Sequence, residues 1–263
     1  MVEHSRRYDD FMKILCDAGY VCYIHDNLGH GNSVQSDDDL GYFGGKEGYK
    51  YLIEDSRKVT ELACGDYPDL PIVLFGHSMG SFIVRMYTAK YGNELSGAIY
   101  CGTGGSNPAV GAGIALTKLI FALKGGYYRS NFITNLAFGS YNKRIENATP
   151  ISWQSRNIEE MNKFIDDDKC GFTFTTSGYL GLLIMNKLIN IKSWYESVPK
   201  NLPILLMAGE QDPVGAYGKG VIEVYDKLKA SNHSDVTLNL YPDDRHEILN
   251  ELDRDKVIAD TLE

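Results

Sequence analysis

The chain has 263 residues, 43% of them hydrophobic, and a formal charge of −9; that length buries a full core in one domain with room for an insertion. An isoelectric point near 5.2 and the lack of a Lys/Arg-rich block argue against nucleic acid or an anionic membrane surface as partner and favour a small neutral or amphipathic substrate. Five scattered cysteines (Cys16, Cys22, Cys64, Cys101, Cys170) without CxxC spacing indicate no disulfide framework or zinc site and fit a reducing cytoplasm, while the charged opening MVEHSRRYDD and the absence of a roughly 20-residue apolar run predict neither a signal peptide nor a membrane span.

In chain order, periodicity predicts a helix near Arg6–Ala18, a strand at Tyr20–His25, a helix near Gly48–Cys64 and a strand at Ile72–Phe75. A helix near Gly80–Tyr91 and a strand at Gly97–Cys101 follow. Beyond a long interval come a strand at Pro203–Ala208, a helix near Tyr217–Lys229, a strand at Val236–Tyr241 and a helix near Glu247–Leu262. Short β-branched runs alternating with amphipathic helices predict an α/β fold, a mostly parallel sheet flanked by helices.

The interval between Cys101 and Pro203 is about a hundred residues without β–α alternation, too long for an ordinary loop. It reads as an inserted cap over residues 104–199, with 1–103 and 200–263 forming the core. Two helices are expected in it, at Ile114–Leu123 and Tyr179–Ile191, amid Tyr127, Tyr128, Phe132, Phe138, Trp153, Phe172 and Phe174. Those rings either form the cap's own core or line an apolar acyl-chain pocket.

Gly76-His77-Ser78-Met79-Gly80 is a G-x-S-x-G sequence. It follows the apolar run Ile72–Phe75 directly and precedes a helical pattern, so it resembles the nucleophile elbow of the α/β-hydrolases. A serine at such a turn sits in a strained conformation, which calls for small neighbours on both sides. The N–H of Met79, opening the next helix, would face a tetrahedral oxyanion, and the helix dipole favours that charge.

In that fold the base comes from the loop after the last strand. His4, His25 and His30 precede the nucleophile, His77 points away from the serine, and His233 falls before the last strand. His246 alone follows Val236–Tyr241 and is the candidate base. Asp212, on the loop after the preceding strand and stiffened by Pro213, is the candidate acid, with Glu210 as rival; its work would be to fix the histidine tautomer and stabilise imidazolium. Gly29-His30-Gly31 lacks the phosphate-loop lysine and full glycine spacing, so it reads as a turn. The acidic runs Asp37–Asp39 and Asp166–Asp168 read as solvated loops rather than metal ligands.

Together with Glu3-His4-Ser5, Arg7-Tyr8, Asp26, Gly29-His30-Gly31, Gly209 to Val214, Arg245-His246-Glu247 and Asn250-Glu251, the whole chain resembles the monoacylglycerol lipase and lysophospholipase-like, serine aminopeptidase-like branch of the α/β-hydrolases. In the cap, Ser152-Trp153, Ser155-Arg156 and Cys170–Thr175 are similar to segments of bacterial members. The resemblance implies a serine hydrolase acting on lipid-like carboxylic esters through an acyl-serine, with no metal or organic cofactor. The alternatives are a peptidase or amidase of the same fold, or a non-catalytic binding protein that kept it.

The departure is at the N-terminus. In the family, the segment similar to Glu3-His4-Ser5 follows a strand ending in His-Gly and one further residue, whose N–H is the second oxyanion donor. That residue corresponds to Met1. The resemblance thus implies a truncated chain without the first strands, with a gap in the sheet between Tyr20–His25 and Ile72–Phe75.

Overall fold

A computed structural model describes all residues 1–263. Four parallel strands form the sheet: β1 (Val73–His77), β2 (Gly97–Cys101), β3 (Ile204–Gly209) and β4 (Val236–Tyr241), in spatial order β1-β2-β3-β4. Around and between them lie α1 (Asp9–Asp17), α2 (Tyr49–Asp66), α3 (Met79–Tyr91), α9 (Lys219–Ala230) and α10 (Arg254–Leu262). The interval between β2 and β3 holds five helices: α4 (Val110–Lys124), α5 (Asn131–Phe138), α6 (Ile158–Asp166), α7 (Thr176–Leu188) and α8 (Lys192–Ser197).

The two-residue period of the strands sorts the core into two layers. Ala98, Tyr100, Ile204, Leu206, Ala208 and Val236 face one cluster, shared with Phe82, Val84, Val221, Val224 and Leu228 of α3 and α9. Cys101, Met207 and Tyr241 face the other, with Phe11 of α1 and Val257 and Ile258 of α10. Phe174, Tyr179, Met185 and Trp194, all from the long interval, belong to the first cluster. That interval is therefore anchored in the same core as the sheet.

Tyr20–His25 is not a strand. A strand exists only through ladder hydrogen bonds to a neighbour, and a cleft of about 740 Å³ lies against both this segment and β1. Tyr20, Val21, Tyr23, Ile24 and, across the cleft, Val73 are exposed. The expected gap at this place in the sheet is present, and β1 is left as an edge.

The C-terminal helix is also shorter than expected. It is a one-turn 3-10 helix at Ile248–Asn250, a break, then α10. The side chains of Glu247 and Glu251 turn inward to Arg7 and Arg156, which fixes the backbone of this stretch off helical course. At the other end of the chain, the expected first helix divides into a 3-10 turn at Ser5–Tyr8 and α1.

Candidate active site

Ser78 sits between β1 and α3 at φ 54°, ψ −120°, a strained conformation for a residue with a side chain. A Cβ on Gly76 would lie 2.3 Å from the carbonyl oxygen of Gly80, so the first glycine of the motif is obligatory. One on Gly80 would meet nothing within 4 Å. The expectation that both flanking glycines are needed to avoid collision thus holds for Gly76 alone.

The structure brings Ser78, Asp212 and His246 into one chain of contacts. His246 Nε2 lies 2.7 Å from Ser78 Oγ, and His246 Nδ1 lies 2.9 Å from Asp212 Oδ2. All three residues are buried, Asp212 completely. Asp212 Oδ1 accepts the backbone N–H of Val214 at 2.8 Å, so both carboxylate oxygens have donors. Glu210, the rival acid, is exposed. Proton count fixes the tautomer: an ionised carboxylate only accepts, so Nδ1 carries hydrogen and Nε2 is free to accept from the serine. A hydroxyl held this way can lose its proton as it attacks a carbonyl carbon.

Met79 opens α3, where no preceding helical carbonyl is available to its N–H. Met1 and Met79 both line the 740 Å³ cleft. The Met1 ammonium lies 3.6 Å from a Glu3 carboxylate oxygen.

Of the other histidines, His77 packs behind His246, its ring 4.7 Å away, and the remaining four lie elsewhere. His30 is buried among Phe43, Phe172 and Phe174, with Nδ1 3.1 Å from Leu28 O; burial lowers its pKa to about 4. Around it, Asp26 accepts the N–H groups of Ser5 and Asn32 at 2.7 Å each, so Gly29-His30-Gly31 is a turn. His233 is buried, with Nδ1 3.0 Å from Leu228 O. His25 lines the cleft. His4 Nε2 lies 2.7 Å from Asp167 Oδ2. Asp167 is therefore paired with a histidine, contrary to the reading of its acidic run as a solvated loop. Cys170 completes that group, its thiol held protonated by burial, with a pKa raised to about 12.

Two groups of side chains surround the histidine, and of the first the sequence reading singles out Trp153 and Phe138 but not Tyr141. The Trp153 ring packs 5.1 Å from the His246 ring, and Tyr141 and Phe138 pack on Trp153 at 5.0 and 6.3 Å. Behind the histidine, Arg7 makes a two-point contact with Glu247 at 3.0 and 2.7 Å and a 2.6 Å contact with Glu3. Opposing charge holds both carboxyls below their ordinary range despite burial. The motif Arg245-His246-Glu247 hints at this pairing only once Arg7 is known to be near.

A family model described as serine aminopeptidase, S33 (Hydrolase_4) matches residues 1–253. The monoacylglycerol lipase of Mycolicibacterium smegmatis is 28% identical over 270 residues, covering 98% of this chain and 82% of the relative. The mouse monoglyceride lipase is 27% identical, covering 95% of this chain and 74% of that protein. Among solved structures, a thermostable carboxyl esterase from Bacillus coagulans in complex with glycerol superposes with a TM-score of 0.93 at 34% identity, covering 100% of this chain and 85% of that one. With a family match across nearly its whole length and a parallel sheet carrying its serine at a strained strand-to-helix turn, the chain belongs to the serine aminopeptidase S33 family of α/β-hydrolases.

Proposed function

We propose that the protein is a serine hydrolase that cleaves carboxylic esters with lipid-like acyl chains, such as a monoacylglycerol or a lysophospholipid. The observation that carries the reading is the unbroken contact chain from Ser78 Oγ through His246 to Asp212. The relatives named as lipases and esterase support the ester class.

In this reading Ser78 Oγ attacks the ester carbonyl while His246 Nε2 takes its proton, and Asp212 stabilises the resulting imidazolium. The oxyanion is met by the N–H of Met79, with the Met1 amine as second donor. Collapse breaks the bond to the alcohol oxygen, which leaves with the proton from His246. Water then attacks the acyl-serine by the same route, releasing the acid and restoring Ser78. Residues 104–199 act as a cap on the core formed by 1–103 and 200–263, and Trp153 and Phe138 stand on the acyl-chain side.

The test is fluorophosphonate labelling with mass spectrometry of the adduct. Labelling at Ser78, abolished in Ser78→Ala along with esterase activity, is the expected result; esterase activity that survives Ser78→Ala in a purified preparation would sink the assignment. The family description favours one second reading, an aminopeptidase or amidase. Matched ester and amide substrates separate the two.

A further inference from the structure

Ser152-Trp153 and Ser155-Arg156 stand out in the sequence, but hydrolysis at Ser78 gives a part to Trp153 alone. In the structure this short stretch of the long interval runs beside the loop that carries His246, and the two are tied from both sides. From the loop, Arg245 Nη1 donates to the carbonyl oxygens of Ser152 at 2.6 Å and Ser155 at 3.1 Å, and the Glu247 N–H donates to Gln154 O at 2.7 Å. From the stretch, Ser155 Oγ donates to Asn250 O at 3.0 Å. Arg156 gives its backbone N–H and its Nε–H to the two carboxylate oxygens of Glu251, at 3.1 and 3.0 Å, and its Nη2 to Asp244 Oδ1 at 2.6 Å and Asp253 Oδ1 at 2.9 Å.

Arg156 alone of these residues holds side chains on both flanks of His246. Asp244 precedes the histidine and Glu251 follows it, so one guanidinium closes the loop between them. Glu251 Oε1 also accepts the backbone N–H of Arg245 at 3.0 Å, which ties the residue next to His246 to the same carboxylate. The side chains of Asp244 and Glu251 are sealed from solvent, and neither has an ion-pair partner other than Arg156. A planar fork with several fixed donors can serve both acids at once. Without it, two buried acids stand unpaired and the loop must open to let water reach them. The surface pairs of the same interval are of another kind: Lys163 meets Glu159 and Glu160 on its own helix and ties no second segment.

We propose that Arg156 is a positioning residue for the candidate base: by bridging Asp244 and Glu251 it holds the loop between them where His246 Nε2 reaches Ser78 Oγ. A residue of the interval between β2 and β3 thus completes the geometry of a triad drawn from the core. The kinetic half of this proposal rests on the serine-hydrolase reading; the loop-holding half does not. A misplacement of about 1 Å at such a group costs about 10²-fold in rate. Because the hold acts on the base and not on the substrate, the loss falls on kcat and is the same for short and long acyl chains.

The test is the time course of fluorophosphonate labelling, followed by intact-mass spectrometry, in Arg156→Gln and Arg156→Lys. Lysine keeps a positive charge beside the acids and so spares the fold, but one ammonium cannot stand at the places of Nε and Nη2 together. Arg156→Lys should label about 10-fold and Arg156→Gln about 100-fold more slowly than the unaltered protein, each reaching one adduct per chain. The kcat for p-nitrophenyl acetate and for a long-chain ester should fall together with KM little changed. Hydrogen exchange in peptides covering residues 244–251 should rise in both variants while peptides from α9 keep their protection. Labelling within about 2-fold of the unaltered rate, an incomplete endpoint reached at the unaltered rate, or a loss confined to the long-chain ester would each overturn the positioning role; if Arg156→Gln does not fold, Arg156→Lys decides by the same criteria. An unaltered protein that fails to label at Ser78 would refute the serine-hydrolase reading instead. The exchange at 244–251 would then decide the loop-holding half, which falls if Arg156→Lys leaves it unchanged.

Discussion

Gly209, at the end of β3, faces the backbone of Asp244 so closely that a Cβ there would lie 2.1 Å from the Asp244 carbonyl oxygen and 2.2 Å from that of Arg245. The loop that carries His246 is therefore seated on a bare glycine, and the loop that carries Asp212 leaves from the same point. Gly209→Ala has no flexible neighbour to yield, because both obstructing atoms are backbone. The loop must lift, and lifting it pulls His246 from Ser78. We expect a loss of about 100-fold in the rate of fluorophosphonate labelling and about 1–3 kcal/mol in stability by denaturant unfolding. A variant labelled at the unaltered rate would show that the loop has another way to settle.

Asp244 itself is the least comfortable acid near the site. Its side chain is sealed, Oδ2 has no partner, and Oδ1 accepts from Arg156 at 2.6 Å. Burial first, then Asp253 and Glu251, raise its pKa to about 7. An acid whose pKa is higher folded than unfolded binds more protons in the native state, so its share of stability is full at low pH and lost as pH rises from about 4 to about 7. Asp244→Asn keeps an oxygen for Arg156 and removes the charge. Its melting temperature should exceed that of the unaltered protein at pH 8 and match it near pH 4. The reverse order would mean that the carboxylate's attraction to Arg156 outweighs its burial.

The sequence pattern is most legible where side chains alternate across a covered strand. Gly97–Cys101 and Val236–Tyr241 are strands at the expected bounds because each face has its own helix layer to meet. Tyr20–His25 carries equally strand-like residues, but pairing is a property of two segments, and β1 is too far off to supply the second. Ser78, Asp212 and His246 are readable because each lies just past a strand, in an order the fold prescribes. His77's grip on the His246 carbonyl is not readable, and Trp153 and Phe138 are readable only as aromatic rings of the inserted segment, not as neighbours of His246. Tyr8 and Glu3 come to His77 from the start of the chain and Trp153 comes to His246 from the long interval, and no local spacing encodes such meetings. The same holds for α5 and α6, whose N-caps Ser130 and Asn157 are plain in the structure but sit among too many polar neighbours to stand out in sequence.

Trp153 packs against the candidate base, and the proposed function makes it a wall for the acyl chain. Its ring lies 5.1 Å from His246 and is backed by Tyr141 and Phe138, and on the proposed function it would meet the acyl chain of an ester held at Ser78. An indole contact of this kind is worth about 1–3 kcal/mol to an apolar ligand, so Trp153→Ala should cut kcat/KM about 10- to 100-fold for a p-nitrophenyl ester of long acyl chain. The acetate ester, too short to reach the wall, should lose much less, and Trp153→Phe should restore most of the long-chain activity. If acetate and long-chain esters fall together, the indole serves the placement of His246 rather than the acyl chain, and the pocket must be sought on another side of Ser78.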